Sequence, residues 1–517
     1  MTKYIEIMDT TLRDGSQSPG MKYTAQEKLE LTKHLLERVQ VDRVEVTSAL
    51  TSEGEFKALL SITKWAKEAG FLSRIEALGF CDRERSAKWI KKAGCRVMNL
   101  LVKGSEVPCR KQLRMTPEEH LVLIRQTMEY CKRADMTVNV YLEHWSEGVQ
   151  NSWDYVKFIL KGIADFPIER VMLCDTLGIL NPFSIGKLVK KTAKCVPGKK
   201  IDVHMHNDYG AATWNTIGAV YTGYVNGVHV TENNLGERTG NADLAQVVVG
   251  IHDHTSFKTR VDEMELRPIS RLASLFSGRS IPVNAPIIGK VFSSGCGVHS
   301  DGNRKGDLYK SRLTADRFGA NFVTALSNQA GQASLKDCLE KELGITTLSD
   351  DQIRQLRKRV ADLSDAGKRL ALGDLIVLVS ELCNQPNMII LTVDDGSVST
   401  RSSLGRKASV TAVLNFRGKE ISFEAEGNGG FDAFMNGLHS WAKTVNVCVP
   451  ELAEYQVNIP PGGKTDALTV ADITWRRPDG RQEEFQTIGT DSDQVMAAIR
   501  SAVQAVNVCN QNFLPKA

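Results

Sequence analysis

Before residue 240 the chain carries eight short apolar runs bounded by polar turns: Ile5–Leu12, Arg43–Ser48, Arg74–Phe80, Val97–Val102, Thr137–Glu143, Arg170–Thr176, Lys200–Asn207 and Gly227–Leu235. Helix-forming amphipathic stretches such as Ala25–Glu37 and Pro117–Arg133 separate them. This alternation constrains the fold most, because a parallel strand reaches its neighbour only through a crossover, usually a helix. Eight repeats in about 240 residues point to an α/β chain built on a (β/α)8 TIM barrel, with a doubly wound open sheet as the alternative on alternation alone.

The chain has 517 residues, so a barrel takes only half of it. After about residue 265 the alternation stops. A Gly- and Pro-punctuated stretch, Ile281–Gly306, leads into charged helical sequence at Asp350–Leu363 and Asp374–Leu382. Asp394–Ser409, rich in Ser and Gly, reads as a linker. Strand-like Ser409–Phe416 and Glu420–Glu426, a helix at Gly430–Lys443, strands near Glu454–Asn458 and Thr469–Trp475, and a helix at Ser492–Val506 then suggest an α+β unit with a pseudo-repeat. The expected divisions are a barrel over 1–268, helical connector subdomains over 269–393, a linker over 394–408 and a C-terminal α+β domain over 409–517.

With 42% hydrophobic and 24% charged residues, the chain has enough apolar material for large cores. Its 65 Lys and Arg against 61 Asp and Glu leave a net charge of only +4, mixed along the chain. No basic arm tracks phosphates, so nucleic acid is not an expected partner. No segment has the ~18–20 consecutive apolar residues of a membrane span, and the start lacks a signal core, so the expectation is a cytoplasmic protein away from membranes. Eleven scattered cysteines without a Cys-x-x-Cys pair suit reduced thiols.

Chemistry in such a barrel gathers at the C-terminal strand ends. There the chain has Arg13-Asp14, Tyr141-Leu142-Glu143, Asp175-Thr176 and His204-Met205-His206-Asn207-Asp208. His204 and His206, two apart on a strand, project from one face and suit a single metal ion. His252-Asp253-His254 has the same spacing but follows helical sequence, where residues two apart diverge, and reads as a solvated helix end. In a closed barrel the first, seventh and eighth strands are neighbours, so Asp14 and Asn241, in Gly236-Glu237-Arg238-Thr239-Gly240-Asn241, could join the two histidines. Two nitrogens and two oxygens fit Mn²⁺, Mg²⁺, Co²⁺ or Zn²⁺ with positions left open for a 2-oxo acid. Arg13 is either a structural ion pair or a partner for substrate charge, and Glu143 either a satisfied internal carboxylate or a general acid/base. Gly462-Gly463-Lys464-Thr465 lacks the first glycine of a phosphate loop, with Asn458 in its place, and reads as a turn.

Asp9-Thr10-Thr11-Leu12-Arg13-Asp14-Gly15, His204-Met205-His206-Asn207-Asp208 and Gly236-Glu237-Arg238-Thr239-Gly240-Asn241, in that order, make the chain resemble the metal-dependent acyl-CoA:2-oxo acid condensing enzymes. These are the isopropylmalate, citramalate and homocitrate synthases, and the resemblance covers nearly the whole chain. It implies that the enolate of acetyl-CoA attacks a metal-bound keto carbon and that hydrolysis of the thioester follows. It also implies Asp14, His204, His206 and Asn241 as metal ligands, Arg13 and Thr176 as 2-oxo acid binders, and Glu143 as acid/base. His299 and Tyr309, on a connector that reaches a neighbouring subunit's site in the family, are implied for acetyl-CoA positioning or water activation. Two positions depart from the pattern: Ser16 stands where the family usually has Glu, and Asp307 where Asn is expected.

By the same resemblance Leu78, Leu101 and Tyr141 surround the 2-oxo acid's R group. A Tyr in place of a smaller residue leaves little room, which favours pyruvate and citramalate over 2-oxoisovalerate, while no basic residue there suits 2-oxoglutarate. Residues 409–517 resemble the family's regulatory dimer domain, implying a homodimer or higher homo-oligomer. Isoleucine is the expected effector if citramalate is the product, leucine if isopropylmalate. A related acyl-CoA lyase and a catalytically dead amino-acid sensor are the competing readings.

Overall fold

The computed structural model describes residues 3–289, 299, 302–303, 305–319, 331–366, 368–459, 467–478 and 484–511. Contacts divide the chain into two compact units, Met1–Lys290 with Asp316–Ala320, and Val291–Ala315 with Asn321–Ala517.

In the first unit β1 (Glu6–Asp9), β2 (Arg43–Ser48), β3 (Ile75–Phe80), β4 (Val97–Lys103), β5 (Thr137–Glu143), β6 (Arg170–Asp175), β7 (Lys200–Met205) and β8 (Gly227–Val230) pair in chain order. β8 returns to β1, with Ile7 opposite Val228, so the sheet is a closed parallel barrel and the open doubly wound sheet is excluded. β1 ends at Asp9, short of the expected Leu12, because the amides of Arg13, Asp14 and Gly15 all turn back onto the Thr10 carbonyl at 3.1, 2.8 and 3.1 Å. Helices α1 (Ala25–His34), α2 (Glu53–Glu68), α3 (Arg85–Lys92), α4 (Pro117–Arg133), α5 (Trp153–Ile163), α6 (Ile185–Ala193), α7 (Ala212–Val220) and α8 (Leu244–His254) follow the successive strands. Capping boxes start two of them: Thr24 with Glu27 on α1, and Thr116 with Glu119 on α4.

Charged side chains also occupy the strand middles, a feature the sequence does not announce. Arg43 reaches Glu76 at 3.1 Å and Asp202 at 2.5 Å, Arg170 reaches Asp202 at 3.1 Å, and Asn99 donates to Glu45 at 2.7 Å. Burial alone would raise the Asp202 carboxyl, but Arg43 and Arg170 outweigh it and hold the group far below the usual range. Interior charge is tolerated because these groups are partnered.

In the second unit β9 (Leu391–Thr392), β10 (Val398–Arg401), β11 (Ala408–Phe416) and β12 (Lys419–Gly427) form one antiparallel sheet. A second is formed by β13 (Glu451–Asn458), β14 (Thr469–Arg476) and β15 (Glu484–Asp491). Helices at Gly430–Val445 and Gln494–Cys509 complete the two halves of the pseudo-repeat. The expected linker over 394–408 is therefore corrected in part, since β10 pairs with β11 across Val398↔Ala412 to Arg401↔Ser409. Its Ser and Thr alternate with a half-buried Val, a polar strand that composition reads as loop. The helices at Gln332–Leu343, Asp350–Asp365 and Leu372–Leu382 are likewise not a separate connector: Leu339, Leu356 and Val379 share one core with Leu414, Phe434 and Trp475. Gly462–Thr465 lies outside the described residues. Among the described residues no helix is long and apolar enough to cross a membrane.

Candidate metal centre

Three loops at the C-terminal ends of neighbouring strands build the site. The turn after β1 carries Arg13 and Asp14, β7 carries His204 and leads into His206, and the loop after β8 carries Asn241. An isolated antiparallel bridge sets Asn241 against His206, and the neighbouring Ala242 amide donates to the Met205 carbonyl at 3.1 Å. This loop needs its glycines. A Cβ on Gly240, at φ 87°, would sit 1.7 Å from the Asn234 carbonyl oxygen, and one on Gly236 would sit 1.9 Å from Asn241 Oδ1. Arg238 ties the two motifs together by donating to both oxygens of Asp208 at 2.7 and 3.0 Å.

Asp14 Oδ2 lies 2.9 Å from His204 Nε2 and 3.8 Å from His206 Nε2. The Asn241 amide is 3.1 Å from His204 Nε2 and 3.5 Å from Asp14 Oδ2. The four residues expected to converge thus do so, all buried. Asp14, His204 and His206 offer three ligand atoms within 4.8 Å of one another. Each of the four also keeps one buried polar atom without a hydrogen-bond partner among the described residues: Asp14 Oδ1, His204 Nδ1, His206 Nδ1 and Asn241 Oδ1. A carboxylate, two imidazoles and an amide with unspent atoms are a donor set that fits a divalent ion. Burial would raise the Asp14 carboxyl, yet Arg13 and His204 hold it well below the usual carboxylate range, while burial pushes His206 down to about 4. Both are thereby kept in the forms that bind cations.

Arg13, its side chain 10% exposed, stands beside the cluster. It donates to Glu45 at 2.5 Å, Asp14 at 3.0 Å and Tyr141 at 3.3 Å, leaving further N–H groups of its fork unspent among the described residues. Tyr141, Leu78 and Leu101 pack in one cluster with Met8, Met172 and Cys174. The Tyr141 ring meets His204 edge-on at 5.8 Å. Thr176 Oγ1 accepts from the His144 amide at 2.8 Å, and its carbonyl accepts from Arg238 at 2.6 Å. Glu143 is ion-paired with Lys103, which stands opposite it in the β4–β5 register.

Glu45, Lys103 and His229 were not legible in the sequence; strand register was the signal available for Lys103. Ser16, in place of the expected Glu, donates to the Arg13 carbonyl at 2.8 Å and so fastens the turn. His252 is not solvated as expected: it is half-buried and contacts Glu263 at 2.6 Å and Thr259 at 2.9 Å.

His299 and Tyr309 belong to the second unit, where their rings stack with centroids 4.2 Å apart. The rest of Gly297–Asp301 lies outside the described residues. Asp307 has φ 55°, a conformation Asp and Asn share more readily than other side chains.

Residues 4–273 match the HMGL-like family, and residues 369–509 match the LeuA allosteric (dimerisation) domain. A putative (R)-citramalate synthase of Methanopyrus kandleri is 30% identical over 97% of this chain and 96% of its own. An (R)-citramalate synthase of Methanocaldococcus jannaschii is 31% identical over 98% and 99%. A 2-isopropylmalate synthase of Burkholderia multivorans is 30% identical over 98% and 97%. With the barrel, the two matched domains and relatives along its whole length, the chain belongs to the HMGL-like family, in its citramalate and 2-isopropylmalate synthase group of condensing enzymes.

Proposed function

We propose that this enzyme condenses acetyl-CoA with pyruvate to give (R)-citramalate and CoA, as a cytoplasmic homodimer or higher homo-oligomer subject to inhibition by isoleucine. The observation that carries the choice of pyruvate is the apolar cluster of Leu78, Leu101 and Tyr141 with Met8, Met172 and Cys174. A side chain larger than methyl on the 2-oxo acid would have to displace buried atoms of this cluster. The two citramalate synthases among the relatives support the reading, and the matched allosteric domain supports an amino-acid effector.

Asp14, His204, His206 and Asn241 would hold the divalent ion, Mn²⁺, Mg²⁺, Co²⁺ or Zn²⁺. Bound there, it supplies Lewis-acid polarisation of the keto carbonyl. Arg13, fixed by Glu45 and Tyr141, offers its remaining N–H groups to the keto acid and neutralises charge developing on the former carbonyl oxygen. Thr176, tied to the His144 amide, orients the carboxylate. Glu143, placed by Lys103, moves a proton at the reacting carbon or oxygen. His299 and Tyr309, supplied by a neighbouring subunit, position acetyl-CoA or activate the water that hydrolyses the thioester.

Release of free CoA from acetyl-CoA with Mn²⁺ and pyruvate, 2-oxobutyrate, 2-oxoisovalerate or 2-oxoglutarate in turn tests the reading. Pyruvate is expected to turn over fastest. Fastest turnover with 2-oxoisovalerate would make the enzyme a 2-isopropylmalate synthase, and absence of CoA release with all four would remove the function.

A further inference from the structure

His229, on β8, is fully buried inside the barrel and belongs to none of the motifs above. Its Nε2 lies 3.3 Å from Asp202 Oδ2 and its Nδ1 lies 3.1 Å from the Tyr141 hydroxyl. Asp202 is clamped by Arg43 at 2.5 Å and Arg170 at 3.1 Å, so it is an ionised, accepting carboxylate. His229 Nε2 must therefore carry the hydrogen. With Asp202 already neutralised by Arg43 and Arg170, the fully buried ring carries only that one hydrogen, which leaves Nδ1 bare and able only to accept.

The Tyr141 hydroxyl has one hydrogen and two acceptors in reach, His229 Nδ1 at 3.1 Å and Glu45 Oε2 at 3.3 Å. Glu45 is already engaged on both oxygens, by Arg13 at 2.5 Å and Asn99 at 2.7 Å. His229 Nδ1 is the nearer acceptor and has no other partner among the described residues. A directed chain results, in which Asp202 accepts from His229, His229 accepts from Tyr141, and Tyr141 accepts from Arg13 Nη2 at 3.3 Å. The chain fixes the rotation of the hydroxyl, the plane of the ring that closes the pocket, and one arm of the guanidinium.

We propose that His229 is a positioning residue that sets which 2-oxo acid the enzyme accepts, by locking the Tyr141 hydroxyl and with it the wall of the R-group pocket; this rests on the reading of Tyr141 given above. His229 does not meet the substrate. It works through Tyr141, so its effect lies in selectivity and in KM for the small 2-oxo acid.

The test uses the full-length enzyme with acetyl-CoA, Mn²⁺ and pyruvate or 2-oxobutyrate. His229→Asn keeps an acceptor near the place of Nδ1, whereas His229→Gln keeps a donor towards Asp202 and leaves Tyr141 only the already engaged Glu45. The kcat/KM preference for pyruvate is expected to fall about tenfold in His229→Gln and His229→Leu, mainly through KM for pyruvate, and to stay within about twofold of wild type in His229→Asn. Adding Tyr141→Phe to His229→Gln is expected to lower the preference no further. Equal losses in Asn and Gln, or an unchanged preference in Gln and Leu, overturn the proposal. Should His229→Leu not fold, the Asn and Gln pair still decides. A wild-type enzyme that turns over neither substrate defeats the functional reading itself, whereas wild-type turnover with unmoved ratios defeats this inference alone.

Discussion

Arg13 Nε lies 2.5 Å from Glu45 Oε2, an ion pair whose two side chains are 10% and 0% exposed. Among the described residues Glu45 accepts from Arg13 and Asn99 and lies near the Tyr141 hydroxyl rather than bonding to the two imidazoles or Asp14, so its role is to aim the guanidinium. Glu45→Gln is expected to lower kcat/KM by about 10²-fold, since a buried pair loses one charge, while Mn²⁺ affinity stays within about threefold. Steady-state kinetics and calorimetric Mn²⁺ titration on the same preparation check this. A matching collapse of metal affinity would show that Glu45 serves the metal cluster instead.

Leu78 is buried against Met8, Tyr141 and Met172. Leu78→Ala opens that cluster, and the selectivity for 2-oxobutyrate over pyruvate, taken as the ratio of their specificity constants, is expected to rise about tenfold, at a stability cost of about 2–4 kcal/mol. Competition between the two acids followed by product analysis gives the ratio, and denaturant unfolding gives the cost. An unchanged ratio would place the R-group pocket elsewhere.

The two His-x-His pairs separate by experiment. His204→Ala is expected to abolish CoA release. His252→Ala breaks contacts with Glu263 at 2.6 Å and Thr259 at 2.9 Å, and is expected to cost about 1–3 kcal/mol of stability with activity retained. Equal losses of activity would mean that the wrong pair has been assigned.

His120 predicts an acid sensitivity unconnected with the metal. Burial, then Lys103, push its pKa down from 6.5 to about 4, and its Nδ1 lies 2.7 Å from the Tyr155 hydroxyl. Between those values the unfolded chain binds a proton that the folded one does not, so stability falls as pH drops from 6.5 towards 4. The loss from this group approaches about 3 kcal/mol at the lower value. Urea unfolding at pH 7, 6 and 5 is expected to show a steeper acid loss for wild type than for His120→Gln; parallel pH profiles would contradict it.

The barrel was legible because parallel crossovers force a strong rhythm on the sequence, and β2 and β5 fall on their expected residues. The end of β8 was not legible. Asn233 and Asn234 take left-handed backbone at φ 53° and 57°, so Glu232–Asn234 turns between Thr231 and Leu235. The metal cluster was legible from motif order plus barrel closure. Glu45, Lys103 and His229 are not legible in the sequence because each acquires its role only from register: Lys103 opposite Glu143, and His229 reaching across the barrel to Tyr141. β10 is not legible because a polar strand that pairs along one side has the composition of a linker.

Asp14, His204, His206 and Asn241 would hold one divalent ion on which the reaction depends. Electron paramagnetic resonance of Mn²⁺ titrated into metal-stripped enzyme measures this directly. About one tightly held ion per chain is expected in wild type, lost in Asp14→Asn and His204→Ala and kept in His252→Ala. Wild type and Asp14→Asn binding Mn²⁺ alike would contradict it.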